Sequence, residues 1–292
     1  MPIRTLRDTA ETQAVATAGL AAWLQTSVCS FQPGLWAFQF NACFACKGLA
    51  HMNDFPPQLI QQLFNGLSLG AIYALIAIGY TMVYGILRLI NFAHGDVFMV
   101  AGLLGIYISA VLPIYVAIPV VIILTVALGF FIERAAYKPL RNAPRMSVMI
   151  SAIGVSYLLE NTATYVTGGQ PMTYPTIGIL NKTIDIVGTS TKLVVIITPV
   201  LVLVLIVLLT QLINHTKIGM AMRAVSKDFE TARLMGIKIN NVISMTFVIG
   251  SALAVVGSIL YFTTYPAITP TAGTMPGLKA FVAAVFGGIG SI

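Results

Sequence analysis

The chain has 292 residues, 58% of them hydrophobic and 9% charged, with 16 Lys and Arg against 9 Asp and Glu for a net charge of +7; mean hydropathy is +0.90. So few charges cannot coat a soluble body of this size, so much apolar surface excludes a disordered chain, and three cysteines exclude a disulfide scaffold. Most of the basic residues fall in short segments between apolar runs and form no stripe for nucleic acid, which leaves a protein whose solvent is mostly lipid.

Residues 1–51 hold all three cysteines (Cys29, Cys43, Cys46) and both tryptophans (Trp23, Trp36) and show no helix or strand period. The apolar piece Ala14–Leu24 is too short to span a bilayer. Arg4 and Arg7 precede it as in a signal peptide, but Asp8 and Glu11 interrupt that pattern. Cys43-x-x-Cys46 has no second pair and no His pair beside it, so it is a weak metal or redox motif. The expectation is that 1–51 is a poorly structured extension with the natural start at Met52, followed by one membrane domain, 52–292.

That domain reads as all-α. Apolar runs long enough to cross a membrane lie at about 59–87, 91–112, 114–132, 147–166, 193–213 and 241–264, with a last run at 277–292. The first is long enough to be one tilted helix or a helix plus a broken piece. Leu193 to Ile213 is the clearest, with Pro199 tolerable as a kink. The expected architecture is a polytopic bundle with about seven transmembrane helices. The last run, which reaches Ile292 without a charged anchor, is expected to be an incomplete crossing.

Lys and Arg in the short connections set the orientation. Segment 133–146 carries Arg134, Lys138, Arg141 and Arg145 against Glu133. Segment 214–240 carries Lys217, Arg223, Lys227, Arg233 and Lys238 against Asp228 and Glu230. Both are assigned to the cytoplasm, and 167–192, with Lys182, Lys192 and Asp185, to the outside.

Gly66 and Gly70 form a G-x-x-x-G, which permits close helix approach. Between two apolar runs lies INFAHGD, which sets Asn91, His94 and Asp96 around Gly95. Polar groups at membrane depth are tolerated where they line a cavity or pair, and Gly95 would permit a broken backbone there. The alternative is an interfacial loop in which Asp96 favours the dipole of the next helix. Glu160 sits inside the run SVMISAIGVSYLLENTATYV; it either serves function within the span or reaches the outer interface.

In 218–243, IGMAMRAVSKDFETARLMGIKINNVI, Ser226 can cap a short helix with Asp228 and Glu230 in its first turn and Arg233 in its last. Gly236 would end it in a left-handed cap. Val225, Phe229, Ala232 and Met235 recur at helical spacing and give one apolar face. Such a helix lies on lipid or docks into a partner, and the string Glu230-Thr231-Ala232-x-x-x-Gly236 points to docking. No phosphate-cradling loop, H-E-x-x-H or nucleophile elbow is present; His51 and His215 read as isolated loop residues. The chain is expected to be a transport subunit and not an enzyme, with no cofactor or metal of its own.

Residues 59–292 resemble the H-type permease subunits of branched-chain amino acid ABC importers. The resemblance is carried by NGLSLGAIYALIAIGYTMVYGILRLINFAHGD (65–96), ERAAYKPLR (133–141), ISAIGVSYLLEN (150–161), IGMAMRAVSKDFETARLMGI (218–237), TFVIGSALA (246–254) and GLKAFVAAVFGGIGSI (277–292). It implies a bacterial inner-membrane importer with a second permease, two cytoplasmic ATPases that hydrolyse the ATP, and a periplasmic substrate-binding protein. The Glu230-x-Ala232-x-x-x-Gly236 string matches the family's coupling-helix motif, Thr231 standing where Ala is usual; Phe229 and Arg233 belong to the same helix. The resemblance also places Asn91, His94, Gly95 and Asp96 near the translocation pathway, and Glu160, as a carboxylate inside a span, is added to that candidate set. The family pattern starts near Met52 and continues after GGIGS with about two more spans. Two rival readings stay open: the same scaffold importing urea, short amides or aromatic acids, or a stand-alone carrier with His94, Asp96 and Glu160 carrying protons.

Overall fold

The computed structural model describes residues 55–140, 143–175, 178, 181–186 and 189–288. The expectations for 1–51, including the C-x-x-C, lie outside the described residues, as do Arg141, the side chain of Arg145 and residues 289–292. Nine α-helices account for most of the described chain: α1 Phe55–Leu87, α2 His94–Val111, α3 Ile114–Ile132, α4 Arg145–Thr167, α5 Leu193–His215, α6 Lys217–Lys227, α7 Phe229–Leu234, α8 Ile239–Thr264 and α9 Thr274–Phe286. A π-helical turn, Glu133–Tyr137, continues α3.

Among the described residues, five segments are long and apolar enough to cross a membrane: α1 from Leu59, α2, α3 with its π turn, α5 and α8. The 59–87 run is one continuous helix and not a helix plus a broken piece. Of the other two expected spans, α4 has 23 residues but carries Ser147, Ser151, Ser156, Glu160 and Asn161 along its length. α9 has 13 residues, starting at Thr274 and not Gly277, and gives way to Gly287 and Gly288 before the described chain stops. His215 closes α5 and is not a loop residue.

The exposed faces of α3 and α5 are aliphatic and aromatic. They present Ile123, Leu124, Phe130 and Phe131 on α3, and Val200, Leu203, Val204, Val207 and Leu208 on α5. Hydrocarbon satisfies such a surface and water does not. α8 is the central helix, packed against α2, α3, α5 and the short α6 and α7. Its buried side, with Phe247, Ala254 and Phe262, meets Ile72, Leu75 and Ile76 of α1 and Phe98 of α2 in one core.

Two short antiparallel ladders interrupt the all-helical pattern, and neither was legible in the sequence. β2 Thr183–Ile186 pairs with β3 Thr189–Lys192, with Thr183 opposite Lys192. β1 Met172–Thr173 pairs with β4 Ala267–Ile268, and the Tyr174 N–H extends the ladder to the carbonyl of Pro266 at 2.7 Å. The second ladder ties the α4–α5 connection to the α8–α9 connection, at the end opposite the basic segments.

After β4 the chain turns back along α2. A Cβ on Gly102 would meet Ile268, whereas a Cβ on Gly95, two turns nearer the start of α2, would meet the backbone of Gly273 and Gly277. α9 therefore begins against the first turn of α2.

Candidate functional site

The segment 88–93 is where the backbone breaks. Arg88 ends α1 with φ 53°, an uncommon left-handed residue that is not glycine. α2 then starts at His94, so Gly95 is helical and not itself the break. What Gly95 supplies is room. An added Cβ would stand 2.7 Å from the Gly273 carbonyl oxygen and 3.1 Å from the Gly277 Cα. Gly273 and Gly277 thus form a small-x-x-x-small face on which α2 rests, the arrangement that brings helix backbones together in lipid.

Asn91, His94 and Asp96 are 4, 3 and 2% exposed. They are buried, but not by pairing with one another. Asn91 Oδ1 accepts a 2.7 Å hydrogen bond from the Tyr137 hydroxyl of the π turn. Asp96 Oδ2 accepts from the Ser156 hydroxyl of α4. The His94 ring sits against Gly79 and Gly250, with the Tyr80 ring edge-on at 4.9 Å, and its Nε2 has no hydrogen-bond partner among the described residues.

Ser156 lies 11 residues after Arg145, about 16 Å along a 23-residue helix. Asp96 therefore meets α4 near its midpoint. One turn on, half-buried Glu160 accepts a 2.6 Å hydrogen bond from the Thr274 hydroxyl, tying α4 to the start of α9. A polar seam thus runs from α2 through α4 to α9.

The exposed stripe of α4 differs from those of α3 and α5. It includes Gly154, Tyr157, Asn161 and Thr164 alongside Met146 and Ile150. Polar groups facing hydrocarbon are costly, so this stripe suits a protein or water-filled boundary.

At the basic end, α6 is capped by Thr216, whose hydroxyl accepts the Gly219 N–H at 3.1 Å. α6 runs through Ser226, whose hydroxyl donates back to the Arg223 carbonyl; Ser226 therefore does not cap the next helix. The cap of α7 is Asp228. Its Oδ1 accepts the Glu230 N–H at 3.0 Å and its Oδ2 accepts the Thr231 hydroxyl. The Thr231 hydroxyl first, and then the Glu230 N–H, hold the Asp228 carboxyl below the ordinary carboxylate range. Thr231, the departure from the family motif, thus has a structural partner.

α7 ends in a Schellman motif: the Ile237 N–H donates to the Ala232 carbonyl at 3.1 Å and the Gly236 N–H to the Arg233 carbonyl at 3.0 Å. That closure needs φ +82° at Gly236, where glycine carries no Cβ penalty. Val225 and Ala232 are buried and Phe229 is half-buried, as the spacing predicts, but Met235 is not on that face. Leu234 and Met235 are 87% and 79% exposed and stand outward with Glu230.

Tyr137, Ser156, Thr274 and the Gly273–Gly277 pair are site residues that the sequence reading missed. So is Glu133, read as a loop counter-charge but buried in the π turn, where its Oε2 accepts the Ser244 hydroxyl of α8 at 2.8 Å. The position of Glu133 and Tyr137 four apart in ERAAY was the available signal, since residues at that spacing share a helix face.

Apolar spanning helices around a buried polar seam, with a short capped helix presented at the basic end, define a multi-pass membrane transport subunit. Residues 62–292 match the family described as branched-chain amino acid transport system, permease component. The chain belongs to that family. It is 43% identical over 249 residues to the high-affinity branched-chain amino acid transport system permease protein LivH of Salmonella typhimurium, covering 80% of each chain. It is 42% identical over 249 residues, with the same coverage, to BraD of Pseudomonas aeruginosa, which bears the same description. A more distant relative is the ribose import permease protein RbsC of Haemophilus influenzae, 23% identical over 233 residues, 78% of this chain and 69% of that one. No solved structure matches.

Proposed function

We propose that this chain carries branched-chain amino acids across the bacterial inner membrane as one permease of an ABC importer. Its proposed partners are a second permease, two cytoplasmic ATPase subunits and a periplasmic binding protein. The observation that carries the reading is α7. Its two ends are fixed by the Asp228 cap and the Gly236 closure, while Glu230, Leu234 and Met235 face outward. A six-residue helix would not hold alone in water, so a short helix locked at both ends and displaying two large apolar side chains suits insertion into a partner's groove. The similarity to LivH and BraD supports the substrate.

Coupling then follows from connectivity. The closure at Gly236 joins α7 to α8 through Ile237 and Lys238, so displacement of α7 by a closing ATPase dimer reaches the helix at the centre of the bundle. Glu160 and the polar stripe of α4 line the pathway in this reading. Asn91, His94, Gly95 and Asp96 support that wall from behind, Asp96 through Ser156. Branched-chain amino acids are zwitterions with apolar side chains, and a wall of small and weakly polar groups lets them pass without trapping them.

The test is uptake of labelled leucine by the complete transporter in proteoliposomes, with Glu230→Lys as the variant. Glu230 is exposed, so the fold should persist while docking is lost. Uptake should fall at least tenfold and the ATPase subunits should no longer co-purify. Normal uptake would remove the coupling assignment. Competition by urea or short amides in place of leucine, isoleucine and valine would move the substrate and keep the scaffold.

A further inference from the structure

α7 has two faces, and only one is accounted for by docking. Phe229 and Arg233, four residues apart and so on one side of the helix, line a cleft beside it. The cleft holds about 890 Å³, within the range of roughly 300–1,000 Å³ typical of small-ligand sites. Its apolar lining includes Leu87 at the end of α1 and Val148 in the first turn of α4. Arg233, Lys238 at the start of α8 and Tyr137 line the same space. Neither cation is paired with a carboxylate among the described residues.

The position matters as much as the lining. Every element around the cleft contributes its basic-end terminus: the last residue of α1, the π turn, the first turn of α4, α7 and the start of α8. In the orientation that the proposed function uses, these termini lie at the cytoplasmic leaflet, where anionic lipids are drawn to clustered Lys and Arg. An apolar lining together with two cations complements a molecule that is anionic at one end and hydrocarbon at the other. A docking protein would use the outward face of α7, which leaves the space beside the helix open to lipid.

We propose that this cleft holds an anionic phospholipid of the cytoplasmic leaflet, its phosphate between Arg233 and Lys238 and an acyl chain along Leu87 and Val148. The lipid then packs beside the coupling helix and sets its position relative to α4 and α8. The site does not depend on which solute is carried.

The test is native mass spectrometry of the full chain released from phosphatidylcholine nanodiscs with and without phosphatidylglycerol. Wild type and Lys227→Gln, a neutralised cation outside the cleft lining, should retain one tightly held phosphatidylglycerol. The double variant Arg233→Gln/Lys238→Gln should retain it roughly tenfold less well or not at all. Both altered side chains are exposed, and gel filtration checks that the variant stays folded. Equal retention by the double variant, or equal retention of phosphatidylcholine, would overturn the proposal. Displacement by glycerol 3-phosphate would assign the cations to a soluble phosphate instead of a lipid. Loss of the lipid on adding the ATPase subunits would assign the cleft to a protein partner.

Discussion

Replacing Gly95 by alanine probes the contact on which the start of α9 rests. The new Cβ would stand 2.7 Å from the Gly273 carbonyl oxygen, about 0.7 Å short of ordinary van der Waals contact, and 3.1 Å from the Gly277 Cα. Both opposing atoms are backbone, so no side chain can rotate away, and α2 and α9 must separate. Overpacking of this kind costs about 1–3 kcal/mol. For a chain of this size each kcal/mol lowers Tm by roughly 2–4 °C. Gly66→Ala is the matched control, because nothing lies within 4 Å of its added Cβ. Thermal unfolding in mild detergent, followed by the loss of the monodisperse peak on gel filtration, should show Gly95→Ala melting several degrees below both wild type and Gly66→Ala. The packing argument fails if Gly95→Ala melts with wild type, or if the two alanine variants fall equally.

Tyr137→Phe leaves the Asn91 amide oxygen buried without its donor, which should cost about 1–3 kcal/mol; an unchanged melting temperature would mean that water or a shifted side chain replaces the hydroxyl. Glu160→Gln keeps the acceptor for Thr274 and removes the charge, so folding should persist while leucine uptake drops several-fold; full uptake would take Glu160 out of the pathway. The carboxyl of Asp228 is held below its ordinary 3.8, mainly by the Thr231 hydroxyl. Its contribution to α7 is therefore fully present above that value and is lost as pH falls through the lower, folded-state pKa. Hydrogen exchange at Glu230 to Gly236 should accelerate in that acid window in wild type, and Asp228→Asn should remove the pH dependence.

Hydrophobic run length is a strong signal, so the first six apolar runs each fall within a few residues of a helix. The closure of α7 was also readable, since a glycine after an amphipathic turn has few other uses. The N-terminal cap was less so. Ser226 and Asp228 are both good capping residues, and the choice depends on how far α6 runs, which its own packing decides. The seam was only half legible. Asn91, Asp96 and Glu160 stand out as polar residues in apolar runs. Their partners Tyr137, Ser156 and Thr274 lie 46, 60 and 114 residues away, and no local pattern encodes such pairings. Gly95 shows the same limit: a glycine for a broken backbone and a glycine for close helix contact look alike in one sequence. The two-residue strands are too short to carry an alternation at all.

The β1–β4 ladder gives the bundle a fulcrum. It fastens the far end of α8 to the connection beyond α4, whereas the near end of α8 is joined to α7 through Ile237 and Lys238. A 26-residue helix held at one end behaves as a lever about 39 Å long. A tilt of about 5° sweeps its free end through roughly 3 Å while hardly disturbing the fastened one. Motion introduced beside Gly236 would thus fade toward the outer face, opening one side of the bundle more than the other.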